Sequence, residues 1–336
     1  MAYPSRADIV TAMRNPKVSF KAAELMGGSI IQKGSMIIQY SGGYTTVFPF
    51  NTKDSKKIAV RCWIADIGDA KKRSQEISHF LEALNNPYFC DFKYLDNALL
   101  INGILHPLVI MEWVEGKPLK EFINDNAGSL TAILPVLAEN FKVMVEYFHN
   151  QDIAHGDLQH GNIMVKPDGS LVIIDYDSMY IKPLDGMHDN IKGLPGYQHP
   201  ARIKNQKVSP VLDYFSELVI YLSLQAFANE PAMWAEYYET EDLLFSKEDF
   251  HSPNDSDLIK KLSRSSNSKI SDLTQQLIEQ LKYDDISKLS PLQDLLVDKK
   301  EVTKEIISAK WDNQPNPPTV KPFKISTSAT TITNKF

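Results

Sequence analysis

Apolar positions in the first third of the chain alternate over short stretches. "SMIIQY" (35–40), "TTVFPF" (45–50) and "KIAVRCWI" (57–64) are β-branched or aromatic runs that predict strands. Ser41-Gly42-Gly43 and the stretch from Asn51 to Lys57 predict the turns between them. Ahead of these, residues 5–14 predict a short amphipathic helix ended by Asn15-Pro16. In "GDAKKRSQEISHFLEALNN" the period lengthens to helical spacing, with Ile77, Phe80, Leu81 and Leu84 on one face. "FCDFKYL" and "LVIMEWV" predict two further strands. After Glu115-Gly116 the pattern turns helical: "LPVLAENFKVMVEYFHNQ" and "VLDYFSELVIYLSLQAFA" are long apolar helices, and more follow to about Leu296. A β-rich half joined at 115–118 to an α-rich half predicts two lobes with a cleft between them. From Ala309 the chain is rich in Pro, Ser and Thr without a period, which predicts a flexible tail.

Composition narrows the classes. The 336 residues are 43% hydrophobic and 23% charged, enough for two packed lobes. The net charge is -6 and no basic block stands out, so a nucleic-acid partner is not expected. The start has no apolar leader-like core, and no run nears 18 uninterrupted apolar residues. A cytoplasmic protein without a membrane partner is therefore expected. Cys62 and Cys90 form no paired motif and read as small buried hydrophobes in a reducing compartment.

The chemistry concentrates in "AHGDLQHGNIMVKPDGSLVIIDYDS" (154–178). "IMVKPDGSLVII" predicts a hairpin with Lys166–Ser170 as its turn. Asp157 and Asn162 precede it and Asp175 follows it, so a hairpin brings all three to one place. Phosphoryl transfer needs such a set: one carboxylate to accept or orient the nucleophile's proton, and an amide and a second carboxylate to hold the metal. The plain alternative is a polar hairpin base built from turn residues.

The order of further pieces resembles the protein kinase fold over roughly residues 20–298. "YSGGYTTVF" resembles the Gly-rich loop and its following strand, "IAVRCW" the lysine-bearing strand, and "LVIMEWVEG" the strand and hinge beside adenine. "HGDLQHGN" resembles the catalytic loop, "IDYD" the metal-binding segment, and "GLPGYQHPA" the end of the activation segment. Asp213 resembles the buried aspartate that anchors the catalytic loop. The resemblance implies an α+β, two-lobed protein kinase-like fold. It divides the chain into an N-terminal helical extension (1–19), an N-lobe (20–114), a C-lobe (115–298) and a C-terminal tail (299–336).

It also implies ATP and Mg²⁺ as cofactors, with roles for named residues. Gly42, Gly43, Val47, Ala59, Met111, Glu112, Val114 and Met164 would contact the nucleotide. Asn162 and Asp175 would hold the metal. Asp157 would face the acceptor hydroxyl, with Arg61, Glu76 and Gln159 completing the catalytic set. Glu76, or as second choice Glu82, would pair with Arg61.

Several departures bear on activity. Arg61 stands where the family has Lys, and a planar fork is not interchangeable with a point charge. Tyr176-Asp177 stands for Phe-Gly, and Asp177 reads as either a second metal ligand or a solvated turn residue. Gly156 replaces an Arg, Gln159 a Lys, Leu194 a Thr and Ala201 a Glu. "HGDL" is instead a spelling common in aminoglycoside and choline kinase relatives. His155, His160 and His199 have no zinc-like spacing, and His155 reads as a core residue of its loop. The leading expectation is a bacterial Ser/Thr protein kinase-like phosphotransferase acting on a protein substrate, with signalling proteins as possible partners. A nucleotide-binding pseudokinase or scaffold and a small-molecule kinase are the alternatives. "GLPGYQHP" argues against the last, because it builds a floor for peptide docking.

Overall fold

Period-two alternation sorts the N-terminal strands into two faces with different jobs. The computed structural model describes residues 3–65 and 69–297; the predicted tail lies outside the described residues. Helix α1 (Arg6–Met13) opens with a capping box between Ser5 and Asp8. Asn15-Pro16, which predicted a stop, also starts α2 (Pro16–Ser19), because proline at the first helical position forfeits no intrahelical bond. The strands are β1 (Ser29–Ile30), β2 (Gln32–Lys33), β3 (Met36–Ile37), β4 (Tyr40–Ser41), β5 (Thr45–Asn51), β6 (Lys57–Trp63), β7 (Phe92–Ile101) and β8 (Ile104–Glu112), with α3 (Ala70–Leu84) between β6 and β7. The main sheet runs β1-β5-β6-β8-β7, with β4 also on β5. "SMIIQY" forms two separate two-residue strands rather than one. Met36 is 67% exposed and Tyr40 56%, so no buried face fixes a longer register there.

On the outer face of the sheet, Phe48, Phe50, Ile58, Val60 and Cys62 share a core with Ile9, Met13 and Phe20 of the N-terminal extension. The extension is thereby part of the N-lobe core. On the inner face, Val47 stands opposite Arg61, and Arg61 opposite Val109. The even-numbered residues of β6 go to the outer core, and Ala59 and Arg61 are left facing the cleft.

The helical lobe follows: β9 (Lys117–Pro118), α4 (Leu119–Asp125), α5 (Leu130–Asn150), β10 (Ile163–Val165), β11 (Leu171–Ile173) and α6 (Tyr214–Asn229). The remaining helices are α7 (Trp234–Tyr237), α8 (Lys247–His251), α9 (Asp257–Ser263), α10 (Ser268–Gln280) and α11 (Leu292–Leu295). The region Ala127–Asn150 is long and apolar enough to cross a membrane by length and composition. Within it, Leu134, Leu137, Phe141, Met144 and Phe148 are buried in the lobe's core. The predicted hairpin is present, pairing Ile163 with Ile173 and Val165 with Leu171.

Candidate functional site

The cleft between sheet and helices has a volume of about 570 Å³. It is lined by Gly42, Val47, Ala59, Arg61, Met111, Glu112, Val114, Asn162, Met164 and Asp175. Ten of the residues singled out in the sequence therefore meet in one space. Gly43, at the same turn, is not among the lining residues. Tyr40, Thr45 and Trp113 also line the cleft and were missed. The Tyr40 and Trp113 rings lie 6.1 Å apart, and Lys57 Nζ sits 4.1 Å from the centre of the indole. Tyr40 and Thr45 lie inside YSGGYTTVF and Trp113 inside LVIMEWVEG, so the quoted motifs themselves carried the signal.

The hairpin brings the polar set together as predicted. Asn162 Nδ2 donates to the backbone oxygen of Asp157 at 2.8 Å and to its carboxylate at 3.4 Å. The Leu194 N–H donates to Asp157 Oδ1 at 2.9 Å. Leu194 thus supplies with its backbone a contact to the aspartate that its side chain cannot make. Gly193, at φ +77, permits this approach: a Cβ there would stand 2.7 Å from Asp157 Oδ1. Burial pushes the Asp157 carboxyl above the usual carboxylate range, and the nearby Asp175 charge adds to the push.

The loop is anchored from below. The Asp213 carboxylate accepts the N–H groups of His155 and Gly156, the latter at 2.8 Å. His155 is fully buried; its Nδ1 accepts the Asp157 N–H, so Nε2 donates to the Ile174 oxygen at 2.9 Å. His160 Nδ1 bonds the Tyr197 hydroxyl at 2.6 Å, and His199 bonds the backbone at both nitrogens. No cluster of three or more His, Cys, Asp or Glu able to hold a metal occurs among the described residues.

Two expectations need correction, and they concern the same atoms. Arg61 does not pair with Glu76. Its Nη1 donates to Asp177 Oδ1 at 2.7 Å, its Nη2 contacts Asp177 Oδ2, and Nη2 also lies 3.2 Å from Asp175 Oδ1. Asp177 is accordingly not a solvated turn residue; its side chain is 14% exposed and both its oxygens meet Arg61. The physical reason is the fork: a guanidinium takes a carboxylate with two parallel bonds, and the family's Gly position offers one here. Burial works against the Arg61 charge, but Asp177 and Asp175 outweigh it and hold the guanidinium more firmly protonated than usual. Glu76 and Glu82 make no ion pair among the described residues, and Glu82 lines a different hollow, behind the sheet. Gln159 is bonded within its own loop: its Oε1 accepts the Gly161 N–H at 2.6 Å.

Tyr176, in the family's Phe position, is fully buried between the lobes. Its hydroxyl donates to the Ile173 oxygen at 2.7 Å and accepts the Cys90 N–H at 2.9 Å. Burial raises the thiols of Cys62 to about 12 and of Cys90 to about 11, in line with small buried hydrophobes. Arg202, next to Ala201, binds Asp189 through Nε at 2.9 Å and Nη2 at 3.1 Å. The same Nη2 donates to the Gly156 oxygen at 2.9 Å, tying the activation segment to the catalytic loop.

The fold is that of a two-lobed kinase, with Asn162 and Asp175 of the HGDLQHGN and IDYD stretches lining the cleft. In agreement, the protein kinase domain family matches residues 41–298. The chain belongs to the protein kinase superfamily. Its relatives include a probable serine/threonine-protein kinase, mkcD, of Dictyostelium discoideum, 25% identical over 60% of this chain and 29% of the relative. A probable serine/threonine-protein kinase of Streptomyces coelicolor is 23% identical over 52% of this chain and 27% of its own length. The probable kinase PknB of Bifidobacterium longum is 22% identical over 57% and 29%. The chain thus spans under a third of the length of these three relatives.

Proposed function

We propose that this protein is an ATP-dependent phosphotransferase of the Ser/Thr protein kinase type, passing the γ-phosphate of Mg-ATP to a protein hydroxyl. The observation that supports it is Asp157, pinned by Leu194 and Asn162 within one site with Asp175 and Arg61. The donor set suits Mg²⁺: Asn162 and Asp175 offer hard oxygens, and Asp175 keeps half its side chain exposed in the cleft, room for phosphates and water to complete the shell. When bound, Mg²⁺ would neutralise charge on the phosphate oxygens. Met111, Glu112 and Val114 line the end of the cleft suited to a flat base. Arg61, which lines the cleft beside Asp175, would steady the phosphates, and Asp157 would orient the acceptor hydroxyl and take its proton. A cytoplasmic protein acceptor, without nucleic acid or membrane, belongs to the same reading.

One observation favours a second reading, a nucleotide-binding scaffold without turnover. The catalytic loop has Gln159 in place of Lys, and that side chain is folded back on Gly161. Calorimetry and phosphotransfer on wild type, Asp175→Ala and Asp157→Asn separate the two. The enzyme reading expects magnesium-dependent binding lost in Asp175→Ala, and turnover lost with binding kept in Asp157→Asn. Binding with no turnover in the wild type selects the scaffold. No binding by any of the three proteins refutes both.

A further inference from the structure

Arg61 is 3% exposed at the centre of the sheet, and each of its three guanidinium nitrogens has a protein partner. Nε donates to Thr45 Oγ1 at 3.3 Å, Nη1 to Asp177 at 2.7 Å, and Nη2 reaches both Asp177 and Asp175. All of these partners lie on β5 or on the segment after β11; α3 supplies none. Glu76 on α3 is half-buried and makes no ion pair or hydrogen bond among the described residues. α3 is held to the lower lobe by a different residue. Arg73 donates to the Met179 oxygen at 3.1 Å and the His188 oxygen at 3.0 Å. Two departures from the family, Arg for Lys at 61 and Asp for Gly at 177, therefore meet in one contact. A lysine has no second arm to make this double bond, and a glycine has no carboxylate to receive it.

We propose that Asp177, not Glu76, is the positioning residue for Arg61, and that Arg61 and Asp177 are a compensating pair that moves the anchor of the cleft's cation from α3 to the metal-binding segment. The proposal rests on the nucleotide-binding reading above. It makes phosphate recognition depend on the segment that carries Asp175 and independent of Glu76.

Two measurements test it. The first needs no nucleotide: thermal unfolding of Arg61→Met, Asp177→Asn and the double variant, beside Glu76→Ala alone and with Arg61→Met. The midpoints should fall in Arg61→Met and Asp177→Asn and recover in large part when both are combined, since each single change strands a buried group. Glu76→Ala should add independently to Arg61→Met. Strict additivity of the 61 and 177 changes overturns the anchor. The second is calorimetry with Mg-ATP and with adenosine. Asp177→Asn should weaken Mg-ATP about tenfold or more, the loss of one charge-assisted contact, and adenosine less than twofold. Glu76→Ala should change both less than twofold. In the background Arg61→Lys/Asp177→Gly, Glu76→Ala should now weaken Mg-ATP, as a lysine would again need the helix carboxylate. Equal weakening of adenosine and Mg-ATP in Asp177→Asn would mean a structural role only and would overturn the proposal. So would a wild-type background in which Glu76→Ala weakens Mg-ATP as much as Asp177→Asn. If the wild type binds neither ligand, the nucleotide reading fails, and the unfolding cycle still judges the Arg61–Asp177 anchor by itself.

Discussion

Gly156 stands where the kinase family carries an arginine, and replacing it should cost more than any loss of signalling chemistry would suggest. Its φ is +79, and a Cβ added there would stand 2.2 Å from the Ser178 carbonyl oxygen and 2.9 Å from the carbonyl carbon. Two terms follow for Gly156→Ala. Holding an L-residue in left-handed backbone costs about 1–2 kcal/mol. Moving the Ser178 peptide away by roughly an ångström, in a segment pinned by the Ala154–Tyr180 bridge, costs a further 1–3 kcal/mol or so, by analogy with overpacked cores. The total, about 2–5 kcal/mol, is a large share of the roughly 5–15 kcal/mol that stabilises a typical domain. Gly186 isolates the second term: its φ is +80, but a Cβ there would meet nothing within 4 Å. Urea unfolding of both alanine variants should show a lower midpoint with unchanged slope, with the Gly156 loss the larger by about 1–3 kcal/mol. Gly156→Arg, which restores the family residue, should be no better than Gly156→Ala. Equal losses at the two glycines would refute the close-approach argument and leave only backbone conformation.

Asp189→Ala should destabilise by about 3–5 kcal/mol in the same assay, because it strands the Arg202 charge, 2% exposed, in the interior; a loss below 1 kcal/mol would mean water replaces the carboxylate. His160 is driven by burial down to about 4, against about 6.5 when unfolded. The folded state resists the proton, so the His160 contribution is intact above pH 6.5 and is lost as pH falls from there toward 4. His160→Gln should flatten the unfolding midpoint over that window, and an unchanged acid slope would contradict it. Residues 179–200 contain no Ser or Thr, and both nearby arginines are occupied, Arg73 by two backbone oxygens and Arg202 by Asp189. Phosphopeptide mapping after incubation with Mg-ATP should therefore find no activity-linked site there; a stoichiometric one would show that a cation can be released to receive it.

How much of this was legible in the sequence depends on the reach of each interaction. The sheet's two faces and the long helices follow from periodicity, which is local. The convergence of Asp157, Asn162 and Asp175 was legible because a hairpin is a local device with a known outcome. The partner of Arg61 was not. Asp177 lies 116 positions away, and the choice between it and Glu76 turns on the reach of a guanidinium across a cleft. Asp189 and Arg202 are 13 positions apart with no periodic element between them, so no pattern flags the pair. The helix at residues 6–13 was legible, but its burial against the outer face of the sheet was not, since that face could equally have met solvent.

The departures from the family share a feature that bears on whether the site is maintained. Arg61 is met by Asp177, the oxygen of Gly156 by Arg202, and Asp157 by the Leu194 N–H. The buried Arg202 charge is met by Asp189. Drift at an abandoned site has no reason to leave its buried charges matched, because an unmatched one costs stability only until the surroundings relax or lose the group altogether. Among the described residues, the buried side-chain atoms without a partner are Trp63 Nε1, Gln198 Nε2 and Asp242 Oδ1. None of these is at a departure position. Gln159 puts an amide where the family has a cation, and that amide is bonded within its own loop. The chemistry that a lysine would perform there is thus the one function without a substitute in view. The consequence is specific: nucleotide binding should survive every departure, and any shortfall should fall on the transfer step alone. A wild type with ordinary Mg-ATP affinity and slow turnover, quickened by Gln159→Lys, is the outcome this reasoning requires.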